Sequence, residues 1–167
     1  MTEHTPPPKK RKNPSRKRTR RKATHEDLIS YTIKVSGWEY YYSLRAGDPK
    51  SRYDAARYRE LATLSFQGEL IRPEASPHKK AEVTLSAREG MLDAPPDDRI
   101  TTIGSLSASG GNLSAYIFVP VERFSELASI AQSERIQAIQ IGGSKLHYRS
   151  GSIYSVALNT LWDEDDW

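Results

Sequence analysis

The stretch LISYTIKVSGWEYYYSL, residues 28–44, alternates apolar or aromatic side chains with polar ones over most of its length. A β-strand has this period of two, because successive side chains point to opposite faces of a sheet. The apolar set of the first half is Ile29, Tyr31, Ile33 and Val35, and a second set follows Gly37. The segment therefore predicts a half-buried strand, with Gly37 either a bulge within one long strand or a bend between two short ones.

Further segments of strand-like composition follow, separated by turns that contain glycine or proline. The predicted strands cover residues 60–71, 82–88, 100–106, 113–119, 136–141, 145–148 and 153–160. A bulge is predicted at Gly68, and turns are predicted at Gly110-Gly111, Gly142-Gly143 and Ser150-Gly151. Apolar residues change to helical spacing over residues 121–132, after Pro120. The pattern predicts a mainly β fold, an antiparallel sandwich or barrel-like domain with one short helix.

The distribution of charge divides the chain into unequal parts. Residues 1–22 contain ten Lys or Arg and one Glu, whereas residues 23–167 contain fifteen Lys or Arg and twenty Asp or Glu. A run of like charges without apolar residues cannot form a core. We therefore expect a disordered basic arm at residues 1–26, a single β-rich domain at residues 27–160 and an acidic, aromatic tip at residues 161–167.

The basic arm predicts contact with nucleic acid. Its ten cations are Lys9, Lys10, Arg11, Lys12, Arg16, Lys17, Arg18, Arg20, Arg21 and Lys22. Lysine and arginine that neutralise phosphates release condensed counterions, which gives salt-sensitive binding with little sequence specificity. Residues 8–12, Pro-Lys-Lys-Arg-Lys, also resemble a monopartite nuclear-import signal, which implies import or partner docking instead. A tail that only adds solubility is the remaining alternative.

The second set of the opening stretch suggests a stacking surface. Trp38, Tyr40 and Tyr42 lie at a spacing of two and would share one face of a strand. Proteins that bind single-stranded nucleic acid use such aromatic faces to stack on bases. The alternative is that the three rings pack in the core, since tyrosine and tryptophan favour strands in any case.

The last residues combine acids with indoles. Trp162, Asp165, Asp166 and Trp167 form a candidate partner tip. The segment is similar to the acidic tip with which bacterial single-strand-binding proteins recruit partners, although those tips carry a proline before a final phenylalanine. A tip that masks the basic arm, or a solvated terminus with Trp162 against the domain, are the alternatives.

Motifs for catalysis or metal binding are sparse. The chain contains no cysteine, which excludes disulfides, thiolate metal sites and a cysteine nucleophile. Its four histidines show no metal-ligand spacing, and neither a nucleophile-elbow motif nor a phosphate-binding glycine loop occurs. No segment approaches the roughly 20 apolar residues of a membrane span. We expect no catalytic residue, metal, cofactor or membrane partner.

The leading hypothesis is a non-enzymatic binding protein whose arm contacts the phosphates of DNA or RNA. The alternatives are an interaction or assembly module with an acidic partner, including a homo-oligomer, and an enzyme with an unrecognised site. We expect a cytoplasmic or nucleoid-associated protein, or a nuclear one in a eukaryotic host. Because residues 23–167 are net negative, the leading hypothesis expects the domain to be held away from the phosphates.

Overall fold

The computed structural model describes residues 28–46, 58–91 and 102–162. The basic arm and Asp165, Asp166 and Trp167 of the tip therefore lie outside the described residues. The described elements are β1 (Leu28–Ala46), β2 (Tyr58–Arg72), β3 (Lys80–Arg88), β4 (Gly104–Ser109), β5 (Asn112–Pro120), α1 (Val121–Gln132), β6 (Ala138–Ser144) and β7 (Ser150–Asn159).

The seven strands form a closed barrel in the order β1-β2-β3-β5-β4-β7-β6. Six of the neighbouring pairs are antiparallel, and β3 and β5 are parallel. The predicted mainly β, barrel-like domain with one helix is confirmed. The parallel pair arises because β4 and β5 form a hairpin that places β5, rather than β4, next to β3.

Strand β1 is a single strand of 19 residues with a bulge, which decides between the two predicted roles of Gly37. The register to β2 shifts between Val35 and Gly37, so Ser36 is the extra residue. An extra residue bends a strand and increases its twist. Because of this bulge, the apolar set resumes on the same face after Gly37, and Trp38 lies opposite Phe66.

The barrel interior is filled by the inward-facing residues of every strand. Ile33, Leu64, Phe66, Val83, Leu85, Ile117, Ile139, Ile141 and Ile153 have no exposed surface. Along each strand, inward-facing side chains alternate with outward-facing ones, as the period of two requires. The predicted inward positions Leu64, Phe66, Val83 and Leu85 are confirmed.

Helix α1 crosses one end of the barrel, from the end of β5 to the start of β6. Pro120 occupies the N-cap position, where its missing N–H costs no helical hydrogen bond. Phe124 and Ala131 are buried in the same apolar core as the strands, so the helix covers this end. We call it the helix end. Within the described ranges, no helix is long and apolar enough to cross a membrane.

The opposite rim is where residues 1–27 join the barrel at Leu28, and we call it the arm end. Strand pairing brings together here the start of β1, the end of β2, the start of β3 and the turns between β4 and β5 and between β6 and β7. The β4–β5 turn is formed by Gly110 and Gly111, with φ of 56° and 85°, which confirms the predicted turn.

The predicted turns at Gly142-Gly143 and Ser150-Gly151 are wrong, because these glycines lie inside β6 and β7. A Cβ at Gly143 would approach Leu106 Cδ1 to 2.9 Å and Ser152 O to 3.0 Å, so close packing accounts for this glycine. The turn is formed instead by Tyr148 and Arg149, with φ of 50° and 67°. The predicted strand at residues 145–148 is therefore absent, and only a bridge joins His147 to Ser150.

Candidate nucleic-acid interface

Exposed basic residues lie around the arm end. Arg72 ends β2, Lys79 precedes β3 and Lys80 begins it, and Lys145 and Arg149 lie in the segment that joins β6 to β7. The carboxylates nearest to these residues along the chain and in the strand pairing are Glu69, Glu74 and Glu82. Leu28 pairs with Ser144, the residue before Lys145. The point at which the basic arm joins the barrel therefore lies next to a cationic turn.

The β6–β7 turn projects an aromatic ring into solvent. Tyr148 is 92 % exposed, which makes it the most exposed of the large apolar side chains in the described ranges. The imidazole of His147 contacts the phenol of Tyr148 edge-on, with ring centroids 4.3 Å apart. The Ala108 N–H donates to the Arg149 carbonyl oxygen at 2.9 Å, which ties the turn to β4. The turn thus holds a tyrosine between a histidine and an arginine on a defined backbone.

The sequence interpretation missed this turn, although residues 145–149 contained a signal. Lys145, His147, Tyr148 and Arg149 combine cations with an aromatic residue, a composition common in nucleic-acid contacts. Alternation of polar and apolar residues made the segment resemble a strand. A left-handed backbone at two successive non-glycine residues is uncommon, so the pattern gave no turn signal.

The described residues of the barrel differ in net charge from residues 23–167 as a whole. The described residues hold eleven Lys or Arg and nine Asp or Glu. The negative charge of residues 23–167 therefore resides in segments outside the described ranges, chiefly residues 92–101 and 163–167. These two segments follow Met91 and Trp162, which lie beyond the ends of β3 and β7 at the helix end. The expectation that an acidic domain is held away from phosphates does not apply to the arm end.

The predicted stacking residues of β1 lie at the helix end, away from Leu28. Trp38, Tyr40 and Tyr42 share the inward face, opposite Phe66, Leu64 and Ala62 respectively. Trp38 is half-buried against the core, whereas Tyr40 and Tyr42 are 47 and 50 % exposed. The exposed fraction increases from Trp38 to Tyr42 because the β1–β2 hairpin extends beyond the rest of the barrel. The pairing of β2 with β3 ends at Thr63, whereas its pairing with β1 continues to Tyr58. The structure therefore separates Leu28, where the arm joins the barrel, from the predicted stacking residues.

A shallow groove of about 600 Å³ lies between Tyr40, Tyr42 and helix α1. The ring of Tyr40 is tilted against that of Phe124, with centroids 6.3 Å apart. The pKa of the Tyr42 phenol is raised by desolvation, and further by the charge of Glu60, whose carboxylate accepts its hydrogen bond.

Trp162 lies against the outside of the barrel. Its backbone N–H donates to the Gln137 side-chain oxygen at 3.0 Å, and the Lys34 ammonium lies 5.6 Å from the centroid of its ring. An ammonium at this distance from an indole face is within range of a cation–π interaction. Trp162 is thus half-buried against the domain, as the packed-terminus alternative expects.

In the part of the chain that the structure describes, no group of three or more His, Cys, Asp or Glu residues is placed to hold a metal ion. Comparison with protein-family models, with curated proteins and with solved structures finds no match. Any function must therefore be argued from the residues and surfaces of this chain.

Proposed function

We propose that this chain is a non-enzymatic binding protein that contacts nucleic acid through its basic arm and the arm end of its barrel. The observation that carries the proposal is the attachment of ten clustered Lys and Arg at Leu28, beside the turn that holds Lys145, Tyr148 and Arg149. The arm supplies phosphate contacts without sequence readout, and the arm end extends the cationic surface onto a rigid scaffold.

The direct test is binding of the full chain to duplex and single-stranded oligonucleotides of unrelated sequence over a range of salt concentrations. Phosphate contacts by the ten cations of the arm contribute at most about −9 to the log-log salt slope on duplex DNA and about −7 on single strands, and contacts by the arm end add to this. We expect slopes steeper than about −4, with affinities that change little between sequences. Absence of binding at low salt, or binding that does not weaken as salt rises, would contradict the proposal.

The exposed ring of Tyr148 gives a specific prediction for single strands. Stacking of a base on an aromatic side chain contributes about 1–3 kcal/mol, so Tyr148→Ala should weaken single-strand binding by about 5- to 150-fold. Tyr148→Phe is the matched control, because it keeps the stacking surface and should bind as tightly as the unchanged chain. Fluorescence anisotropy with a labelled oligonucleotide measures both. Equal affinity of the alanine and phenylalanine variants would exclude stacking at this position.

A further inference from the structure

Beyond Val35, the second edge of β1 pairs with no strand among the described residues. β6 pairs with β1 only from Leu28 to Lys34, and the Val35 N–H then donates to the Gln137 carbonyl oxygen at 2.8 Å. From Gly37 to Ala46, the described partner of β1 is β2, on the other side. An unpaired edge of this length presents backbone donors and acceptors to an approaching strand.

Exposed apolar side chains lie along this edge on both faces of β1, with Tyr40, Tyr42 and Leu44 inward and Tyr41 outward, and we call this set the apolar patch. Tyr40, Tyr41, Tyr42 and Leu44 are 47, 46, 50 and 57 % exposed. Single exposed apolar residues are ordinary, but four within five residues on an open edge are the type of surface that marks an interface. The charged residues that flank the patch are Glu39 and Arg45. The patch therefore lies between one carboxylate and one guanidinium.

Glu39 and Arg45 make the edge complementary to itself. Both are three positions from Tyr42, and they lie on the same face because their positions differ by six, an even number. If two copies pair antiparallel about a two-fold axis at Tyr42, Glu39 of each copy faces Arg45 of the other. An isologous interface contains this ion pair twice.

The opposite face is complementary in the same register. Tyr42 faces Tyr42 of the second copy, and Tyr40 faces Leu44 of the second copy. Aromatic–aromatic and aromatic–aliphatic pairs directly across a sheet are stabilising, and so are pairs of opposite charge. A shift by one residue would separate Glu39 from Arg45 and place inward residues opposite outward ones.

We propose that two copies of this chain dimerise by antiparallel pairing of residues 38–46 of β1, with Tyr42 on the two-fold axis. The pairing joins the β1-β2-β3 sheets of both barrels into one continuous sheet. A second copy fits this edge better than an unrelated peptide. In the antiparallel pairing, each charged residue of the edge faces the opposite charge of the second copy, and Tyr40 and Tyr42 face apolar residues. This inference does not depend on nucleic-acid binding.

The dimer would place the two basic arms far apart. Leu28 and Tyr42 are at opposite ends of β1, and a strand rises about 3.3 Å per residue, so the two Leu28 residues are at most about 90 Å apart. The arms then leave from the two distal ends of the dimer. Such a dimer is bivalent, with one cationic arm at each end.

Sedimentation equilibrium of the full chain tests the pairing through its charges. We expect a monomer–dimer equilibrium whose dissociation constant rises about tenfold or more in Glu39→Arg and in Arg45→Glu, since each variant places like charges opposite each other twice. The double variant, Glu39→Arg with Arg45→Glu, restores both pairs and should dimerise within about threefold of the unchanged chain. Glu82→Arg, an exposed carboxylate on β3, is the matched control and should not change the equilibrium.

A cysteine cross-link tests the register, because the chain has no cysteine of its own. Tyr42→Cys places two thiols directly opposite each other and should form a disulfide-linked dimer rapidly under mild oxidation. In Tyr40→Cys the two thiols lie about 13 Å apart, too far for a disulfide. A chain that stays monomeric at all concentrations, single reversals that leave the dimer unchanged, or equal cross-linking of both variants would overturn the proposal.

Discussion

Replacing the ten Lys and Arg of residues 9–22 by Gln in the full chain should weaken binding to duplex DNA by about 100-fold or more at about 50 mM salt. The physical reason is counterion release, since each phosphate contact contributes about −0.9 to the log-log salt slope. The remaining slope should be no steeper than about −4.5, because the described arm end offers five Lys or Arg. Fluorescence anisotropy at several salt concentrations gives both quantities.

The control for this experiment exchanges every Lys for Arg and every Arg for Lys in the same segment. It keeps charge and length, and it should retain both the affinity and the salt slope, because a phosphate contact of this kind depends on charge. If the glutamine variant binds as tightly as the unchanged chain, the arm is not the contact surface. If the exchanged variant loses binding, the arm acts through a specific sequence, such as the segment that resembles an import signal.

Gly68→Ala should lower the free energy of unfolding by about 3 kcal/mol, the upper part of the range for overpacking a core. A Cβ at Gly68 would collide with the Lys34 carbonyl oxygen and approach the Ile33 side chain to 2.8 Å. The Lys34 oxygen belongs to backbone that is paired on both sides, so it cannot move without disturbing the barrel. Urea unfolding followed by circular dichroism, at one fixed protein concentration, measures the change.

Gly37→Ala is the matched control on the neighbouring strand. The nearest atom to its added Cβ would be the side-chain oxygen of Gln67 at 3.6 Å, an ordinary contact. We expect a change within about 0.5 kcal/mol, as for substitutions that create neither strain nor a cavity. If both substitutions changed the free energy of unfolding equally, β1 and β2 would not be as close at Gly68 as described above.

The elements of strongest periodicity were predictable from sequence. The alternation around Ile33 and the helical spacing after Pro120 report directly on the face that is buried, so β1, β2, β3, β5 and α1 were found within a few residues. Gly68 was predicted as a bulge, but the extra residue lies across from it on β1, at Ser36, and the backbone of β1 leaves no room for a side chain at Gly68. Local sequence does not show that approach, because it depends on residues about 34 positions away.

The candidate interface was predictable only in part. The arm is a prediction from composition, because ten cations without apolar residues cannot form a core, and it lies outside the described residues. Its position next to Tyr148 depends on the pairing of Leu28 with Ser144, a contact between distant parts of the chain. The unpaired edge of β1 was equally hidden, since it exists only because β6 stops pairing at Lys34.

Chemical-shift mapping of the full ¹⁵N-labelled chain with a short oligonucleotide tests most directly whether nucleic acid lies at the arm end. We predict that the amides of residues 78–80 and 145–149 shift on binding, while those of α1 do not. This result would place the ligand beside Leu28, as the charge of the barrel and the point of arm attachment require. Shifts confined to α1 and to residues 38–46 of β1 would contradict the account.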